Sequence, residues 1–127
     1  MLTKYAENLL YFLNHSEEDE MNCKNFLEQM PLKDKKLLKW LDVGAGSGRK
    51  PIMILKKLGM KVIFDAVEPA ESWRELLVKN FEAAGLKKVI RNIYPTEWEK
   101  FESEEKYDLI TFFHSIYGID INSIEKV

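Results

Sequence analysis

A glycine-rich segment and a carboxylate that follows 20 residues later are the parts of this sequence best suited to chemistry. The segment runs from Gly44 to Gly48 as G-A-G-S-G, and Asp42 precedes it. Glycines permit a tight turn and let a ligand approach the main chain closely. The later carboxylate, Glu68, can accept hydrogen bonds from two donors, such as the two hydroxyls of a ribose. Together they predict a site for a ligand that contains a nucleoside.

The spacing of the glycines separates two kinds of nucleoside ligand. A dinucleotide turn has the pattern G-x-G-x-x-G, but its third glycine would fall where this chain has Arg49. The chain has G-x-G-x-G instead, and the carboxylate of Asp42 would repel a pyrophosphate while suiting an ammonium group, directly or through water. S-adenosylmethionine carries an ammonium and a ribose and no phosphate. The predicted contacts of this cofactor are Asp42, Gly44, Gly46, Gly48 and Glu68.

Strand-like and helix-like segments alternate around these residues. Apolar runs typical of strands lie at 40–43, 62–67, 89–94 and 107–113. Apolar residues at helical spacing lie between them, at 52–58 and 73–84. This alternation predicts a parallel sheet with right-handed crossovers, and such sheets bind ligands outside the carboxyl ends of their strands. The nearly continuous apolar run at 109–113 predicts a strand that is covered on both faces.

The N-terminal segment predicts helices. Leu2, Tyr5, Leu9 and Leu10 recur at helical spacing, and the acidic run 17–20 suits the first turn of a second helix. We therefore expect two parts: a helical cap at 1–32 that contributes to a substrate site, and a partial α/β domain at 33–127.

Composition excludes several classes of protein. The 127 residues are 46% hydrophobic and 31% charged, with a net charge of −2, and no basic stripe predicts a nucleic-acid partner. No apolar stretch is long enough to cross a membrane, and the first residues do not resemble a signal peptide. Cys23 is the only cysteine, so neither an intrachain disulfide nor a cysteine metal cluster is expected. We expect a cytoplasmic protein without a metal.

The segment D-V-G-x-G-x-G at the end of one strand, with Glu68 ending the next, resembles the first two signatures of the class I S-adenosylmethionine-dependent methyltransferases. The resemblance implies a Rossmann-like sheet whose seven strands have the order 3-2-1-4-5-7-6. Only about four strands are evident in this chain, so the sheet is expected to be incomplete. The last strand, 107–113, would then have an open edge through which copies could associate.

Other segments resemble histamine N-methyltransferase, most clearly 12–16, 68–71 and 108–117. That resemblance implies a small-amine substrate gripped by Glu18, with Tyr5 and Tyr117 lining its pocket. It also implies that Phe113 is an apolar neighbour of the cofactor. His114 stands where that family has an amide; it is a candidate general base, although an isolated histidine in an apolar segment is more often a buried core residue.

The loop after the third strand is where methyltransferases contact the adenine. Thr96 or Glu97 could bond the exocyclic amine and Trp98 could pack on the ring, although a tryptophan here is first of all a packing residue. The Tyr5–Leu9 stripe is likewise often core, and the acidic run around Glu18 is often a solvated helix start.

The predicted reaction is direct displacement, in which a neutral amine attacks the sulfonium methyl and the protein supplies position and electrostatics. With half of the substrate pocket absent, we expect weak turnover or none from this chain alone. Two other functions stay open: a non-catalytic module for cofactor binding or interaction, and a nicotinamide oxidoreductase, which Arg49 and Asp42 disfavour.

Overall fold

The computed structural model describes residues 6–11 and 36–112, which form one parallel sheet with helices. The strands in this part of the chain are β1 (Ala6–Tyr11), β2 (Leu37–Val43), β3 (Lys61–Val67), β4 (Ile90–Tyr94) and β5 (Tyr107–Thr111). The α-helices within the same residues are α1 (Arg49–Lys57) and α2 (Glu71–Ala83). Short 3-10 turns at Lys87–Val89 and Trp98–Lys100 flank β4.

The spatial order of the strands is β1-β5-β2-β3-β4, and every neighbouring pair is parallel. The four strands expected from the sequence are all present. Read from β4, they follow the 3-2-1-4 order that the methyltransferase resemblance implies, so the predicted Rossmann-like fold class is confirmed. This order brings the carboxyl ends of β2 and β3 side by side, where the glycine turn and Glu68 lie.

The ends of both helices carry residues that suit a helix boundary. In α1, Gly48 occupies the N-cap position in a left-handed conformation, and Pro51 lies in the first turn. Two lysines lie in the last turn, where their charge interacts favourably with the negative end of the helix dipole. After α2, Gly85 has a φ of 75°. Its N–H donates to the carbonyl of Glu82, and the N–H of Leu86 donates to the carbonyl of Phe81. This is a Schellman motif, which satisfies the last carbonyls of the helix.

The two faces of the sheet have separate apolar cores. Alternation along β2 directs Leu38 and Trp40 to one face and Leu41 and Val43 to the other. The first core, beneath α1 and α2, includes Leu38, Trp40, Ile54, Leu55, Phe64, Leu77, Phe81 and Leu109. The second core, beneath the loop between β4 and β5, includes Leu41, Val43, Val67, Trp98, Phe101, Tyr107, Ile110 and Phe112. Every residue from Tyr107 to Phe112 is buried, as the apolar run predicts.

The expected N-terminal helix is wrong for Ala6–Tyr11. These residues form a strand that pairs with β5, with Leu9 opposite Leu109 and Tyr11 opposite Thr111. Helical spacing of apolar residues is a local signal, whereas the unpaired N–H and C=O groups along the edge of β5 offer backbone partners that only an extended chain can take. The pairing shifts register between Ala6 and Leu9. Residues 12–35 lie outside the described residues, so the division of the chain at 32/33 and the second helix stay predictions.

The strand β1 also corrects the expectation of an open edge on β5. In the described sheet β5 has β1 on one side and β2 on the other, so its backbone groups have partners in both directions. The edges of this sheet are β1 and β4. Self-association through β5 therefore loses the physical reason on which it rested.

The contact between the glycine turn and α2 gives a first prediction. Gly48→Ala should lower the free energy of unfolding by about 1–3 kcal/mol, because a φ of 77° is strained for alanine and the new Cβ would meet α2. That Cβ would lie 2.3 Å from Cδ1 of Leu77 and 2.8 Å from Cε1 of Phe81. Urea denaturation followed by tryptophan fluorescence measures the loss. Gly59→Ala is the matched control, because its φ is not left-handed and its Cβ would meet nothing within 4 Å; equal losses in the two variants would contradict the prediction.

Candidate functional site

The glycine turn lies across the carboxyl ends of β2 and β3. Gly44, Gly46 and Gly48 have φ values of 68°, 55° and 77°, a region that residues with side chains seldom adopt. The N–H of Gly44 donates to the carbonyl of Val67 at 2.7 Å, and the N–H of Gly48 donates to that of Ala45 at 3.0 Å. The three glycines are thus required by the backbone path, and the turn is fastened to the last residue of β3.

Glu68 touches the turn, as the sequence prediction requires. Its Oε1 accepts from the N–H of Gly46 at 2.8 Å, and its Oε2 accepts from the N–H of Ala70 at 3.1 Å. An ionised carboxylate has about four lone-pair positions, so each oxygen has room for one more donor. A Cβ built on Gly46 would meet no atom within 4 Å, which leaves open space beside the turn. Acid and turn therefore form one site.

The helix α2 holds both halves of this site in place. The side-chain amide of Asn80 donates to the carbonyl of Ser47 within the turn at 2.9 Å. The guanidinium of Arg74 donates to the carbonyls of Glu68 and Pro69 at 3.0 and 2.7 Å. Sequence reasoning missed both residues because they belong to the polar face of a helix that was recognised only by its apolar stripe. Their spacing after Glu68 can identify them as residues that hold the site only when the geometry of β3 and α2 is known.

Asp42 is buried at the end of β2 and only half satisfied. Its Oδ1 accepts from the hydroxyl of Thr111 at 2.6 Å, and that hydroxyl oxygen accepts from the indole N–H of Trp40 at 2.9 Å. Its Oδ2 has no hydrogen-bond partner among the described residues. Burial is the main cause that raises the pKa of Asp42 to about 8; the nearby charge of Glu68 raises it further, while the Thr111 hydrogen bond and Lys50 oppose the rise.

The residues proposed to contact the adenine fall at the carboxyl end of β4. This end lies next to the acid, because the N–H of Glu68 donates to the carbonyl of Tyr94 at 3.0 Å. Thr96 is half-buried and Glu97 is exposed, so both side chains stay possible ligands of an exocyclic amine.

Trp98 does not offer a ring face to a ligand. The residue is 2% exposed, stacks on Phe101 with ring centroids 5.7 Å apart, and meets Phe112 edge to face at 5.3 Å. Its ring belongs to the second core. The prediction that Trp98 packs on the adenine is therefore wrong. The alternative prediction, that Trp98 is a packing residue of the core, agrees with the structure.

The remaining predicted site residues cannot be placed. Tyr5, Glu18, Phe113, His114 and Tyr117 lie outside the described residues, so the substrate pocket and the candidate base stay predictions. Within residues 6–11 and 36–112, no group of three histidine, cysteine or acidic side chains is arranged to hold a metal. No helix in that same part of the chain combines the length and apolarity needed to cross a bilayer.

Comparison with known proteins places the fold in a class. No protein-family model matches the sequence, and no curated protein sequence matches it either. Solved structures do match. A candidate S-adenosyl-L-methionine-dependent methyltransferase from Methanococcus maripaludis has a TM-score of 0.69 at 20% identity, over 84% of this chain and 47% of its own.

Two further matches are S-adenosylmethionine-dependent methyltransferases solved with S-adenosyl-L-homocysteine. The protein from Geobacter sulfurreducens has a TM-score of 0.65 at 14% identity, over 88% of this chain and 42% of its own. The protein from Thiobacillus denitrificans has a TM-score of 0.58 at 16% identity, over 77% of this chain and 36% of its own. The described chain thus has the class I methyltransferase fold and spans less than half the length of these structures. Nothing in the likeness points to histamine N-methyltransferase in particular.

The half-satisfied carboxylate gives a second prediction. The folded chain binds the Asp42 proton more tightly than the unfolded chain, whose pKa is near 3.8. The stability that this proton contributes is fully present below about pH 4 and is lost as the pH rises to about 8. Asp42→Asn removes this titrating group, so the variant lacks the loss of stability with rising pH that Asp42 causes in the parent. The free energy of unfolding of the variant minus that of the parent should therefore increase by at most about 1.4 kcal/mol per pH unit across this window. Urea denaturation at several pH values tests this; parallel curves for the two proteins would contradict it.

Proposed function

We propose that this chain binds S-adenosylmethionine at the glycine turn and forms the cofactor-binding part of a methyltransferase. The observation that carries the proposal is the 2.8 Å hydrogen bond between the N–H of Gly46 and Oε1 of Glu68. It joins the turn and the acid in one site while leaving lone pairs on both carboxylate oxygens for the two hydroxyls of a ribose.

The residues present fit the polar groups of this cofactor. Asp42 lies two residues before the turn. Its buried Oδ2, which no described residue contacts by a hydrogen bond, suits a cationic ammonium, directly or through a bridging water. Thr96 or Glu97 would take the exocyclic amine of the adenine. A pyrophosphate would meet the carboxylate of Glu68 and would oppose the ionisation of Asp42, which is a physical reason to disfavour a nicotinamide dinucleotide.

The bound cofactor would supply a methyl group already activated on a sulfonium. The chain itself then has three tasks: to hold the ribose with Glu68, to bind the ammonium with Asp42, and to keep the turn fixed through Asn80. Such catalysis rests on positioning and electrostatics and needs no covalent enzyme intermediate.

The methyl acceptor is proposed to be a small amine such as histamine. This rests on the sequence resemblance of the N-terminal and C-terminal segments, which implies that Glu18, Tyr5 and Tyr117 bind the amine. His114, which stands where that family has an amide, is a candidate to assist its deprotonation. An aromatic ring beside a cationic part of the amine would contribute about 0.5–2 kcal/mol. The neighbouring structures include an O-methyltransferase, so the fold itself leaves the acceptor open.

A second candidate is cofactor binding without turnover. The observation behind it is that the described site residues, such as Gly46 and Glu68, fit the cofactor, whereas the proposed substrate residues lie outside the described residues. A methyl-transfer assay with histamine separates the two candidates: product formation supports the enzyme, and cofactor binding without product supports the module.

Glu68→Gln tests the cofactor site. The variant loses the charge and one acceptor oxygen, so its dissociation constant for S-adenosylhomocysteine should rise about 10- to 100-fold, the range expected for hydrogen bonds to a charged group. Isothermal titration calorimetry measures the change. Glu75→Gln is the matched control, because Glu75 is an exposed residue of α2 and its replacement should leave the affinity unchanged.

The proposal is wrong if the parent chain binds NAD and not the adenosyl ligand. It is also wrong if neither ligand raises the free energy of unfolding, since a saturating ligand at 100 times its dissociation constant should add about 2.7 kcal/mol. Unchanged affinity in Glu68→Gln would show that the ribose is not held at this carboxylate.

A further inference from the structure

Three buried polar side chains form a line across β2 and β5. The indole N–H of Trp40 donates to Oγ1 of Thr111 at 2.9 Å, and the hydroxyl of Thr111 donates to Oδ1 of Asp42 at 2.6 Å. The sheet register enforces this line, since Asp42 and Thr111 are direct cross-strand partners. Neighbouring side chains on one face of a sheet are held about 5 Å apart, so the contact does not depend on a flexible loop.

The direction of donation along this line is fixed. An indole N–H only donates, whereas a hydroxyl has one proton and can also accept. Because Trp40 occupies an acceptor position of Thr111, the hydroxyl proton is directed to Asp42. Oδ1 is therefore used as an acceptor, and Oδ2 is the oxygen left without a partner among the described residues.

We propose that Thr111, oriented by Trp40, is a positioning residue that keeps Oδ2 of Asp42 available to a ligand ammonium, and so gives the site a preference for adenosyl ligands that carry an amino acid group. This inference rests on the proposed function. It assigns the preference to Thr111 of β5, a residue to which the sequence analysis gave no role.

The groups around Asp42 determine whether it is ionised, and so whether Oδ2 can accept a hydrogen bond from an ammonium. Glu68, at the end of β3, favours the protonated form of Asp42, whereas Lys50 of α1 and the Thr111 hydroxyl favour the ionised form. With Oδ1 accepting from Thr111, a proton on Asp42 resides on Oδ2. An ammonium has donors and no acceptor, so Oδ2 must give up this proton when the ammonium binds. Burial raises the pKa of Asp42 to about 8, and binding at pH 7 should therefore release a proton.

The test compares two ligands that differ in the amino acid group. S-adenosylhomocysteine carries the ammonium, and 5′-methylthioadenosine has the same adenine, ribose and sulfur without it. Calorimetric titrations of the whole chain give the dissociation constant of each ligand at pH 6, 7 and 8. Titrations in buffers of different ionisation enthalpy count the protons released.

Thr111→Val and Thr111→Ser separate the hydroxyl from the packing. Valine keeps the shape and removes the hydroxyl, and serine keeps the hydroxyl. We expect valine to weaken S-adenosylhomocysteine about tenfold at pH 7 and to leave 5′-methylthioadenosine unchanged. We expect serine to restore the preference. Without the hydroxyl hydrogen bond that favours ionised Asp42, the rise of affinity with pH should also move to higher pH in the valine variant.

Ile110→Val is the packing control, because Ile110 is buried in the same strand but belongs to the second core. It should change neither ligand preference nor proton release. Equal weakening of both ligands by Thr111→Val, or failure of serine to restore the preference, would overturn the inference while the cofactor site stands. If neither ligand binds the parent chain, the proposed function fails and this inference fails with it.

Discussion

The hydrogen bond between the N–H of Gly46 and the carboxylate of Glu68 is the constraint on which the site depends. It joins the loop after β2 to the residue after β3, two segments that meet only because these strands are parallel neighbours. The carboxylate reaches a second N–H at Ala70, so one side chain fixes the entry to α2 as well. The same acid that a ribose would contact thus shapes the turn that would receive it, and structure and binding cannot be separated at Glu68.

Another buried aspartate of the sheet, Asp65, has surroundings that differ from those of Asp42. Asp65 accepts from two nitrogens of Arg91, from the N–H of Asn92 and from the hydroxyl of Tyr107. The carboxylate in turn raises the pKa of Arg91, and burial together with this hydrogen bond raises the pKa of Tyr107. Every oxygen of Asp65 has a partner, as buried charges in stable interiors require.

The contrast between these two carboxylates is informative. Asp65 is paired with a guanidinium and ties β3 to β4 and β5, which is a structural role. Among the described residues, Asp42 has one donor and one oxygen without a partner, and its pKa is raised. Groups kept in that condition cluster at functional sites, where the cost to stability is tolerated because a ligand completes the set of contacts. The distinction rests on hydrogen-bond satisfaction, since both side chains are equally buried.

Sequence alone could predict what depends on near neighbours in the chain. The glycine turn, the strand before it and the Schellman end of α2 at Gly85 each follow from a local pattern, and so does Glu68 as the end of the next strand. It could not predict Thr111 as the partner of Asp42, because the two are 69 residues apart. Nor could it place β1, whose local spacing favours a helix and whose strand partner lies near the other end of the sequence. Trp98 was ambiguous because an aromatic residue in a loop suits a ligand and a core equally.

The pairing of β1 with β5 has a consequence for how the chain acquires its structure. Leu9 lies opposite Leu109, whereas Leu37 lies opposite Lys61, so the first contact closes a loop about four times longer and costs about 1 kcal/mol more in chain entropy. During synthesis, β2, β3 and β4 can associate early, but the other edge of β2 must wait for β5. The strand β1 is synthesised first and waits for the same partner, β5. The nascent chain therefore carries an unpaired backbone edge on β2 until residues up to 111 have been synthesised. During this interval the edge can pair with other nascent chains or contact chaperones.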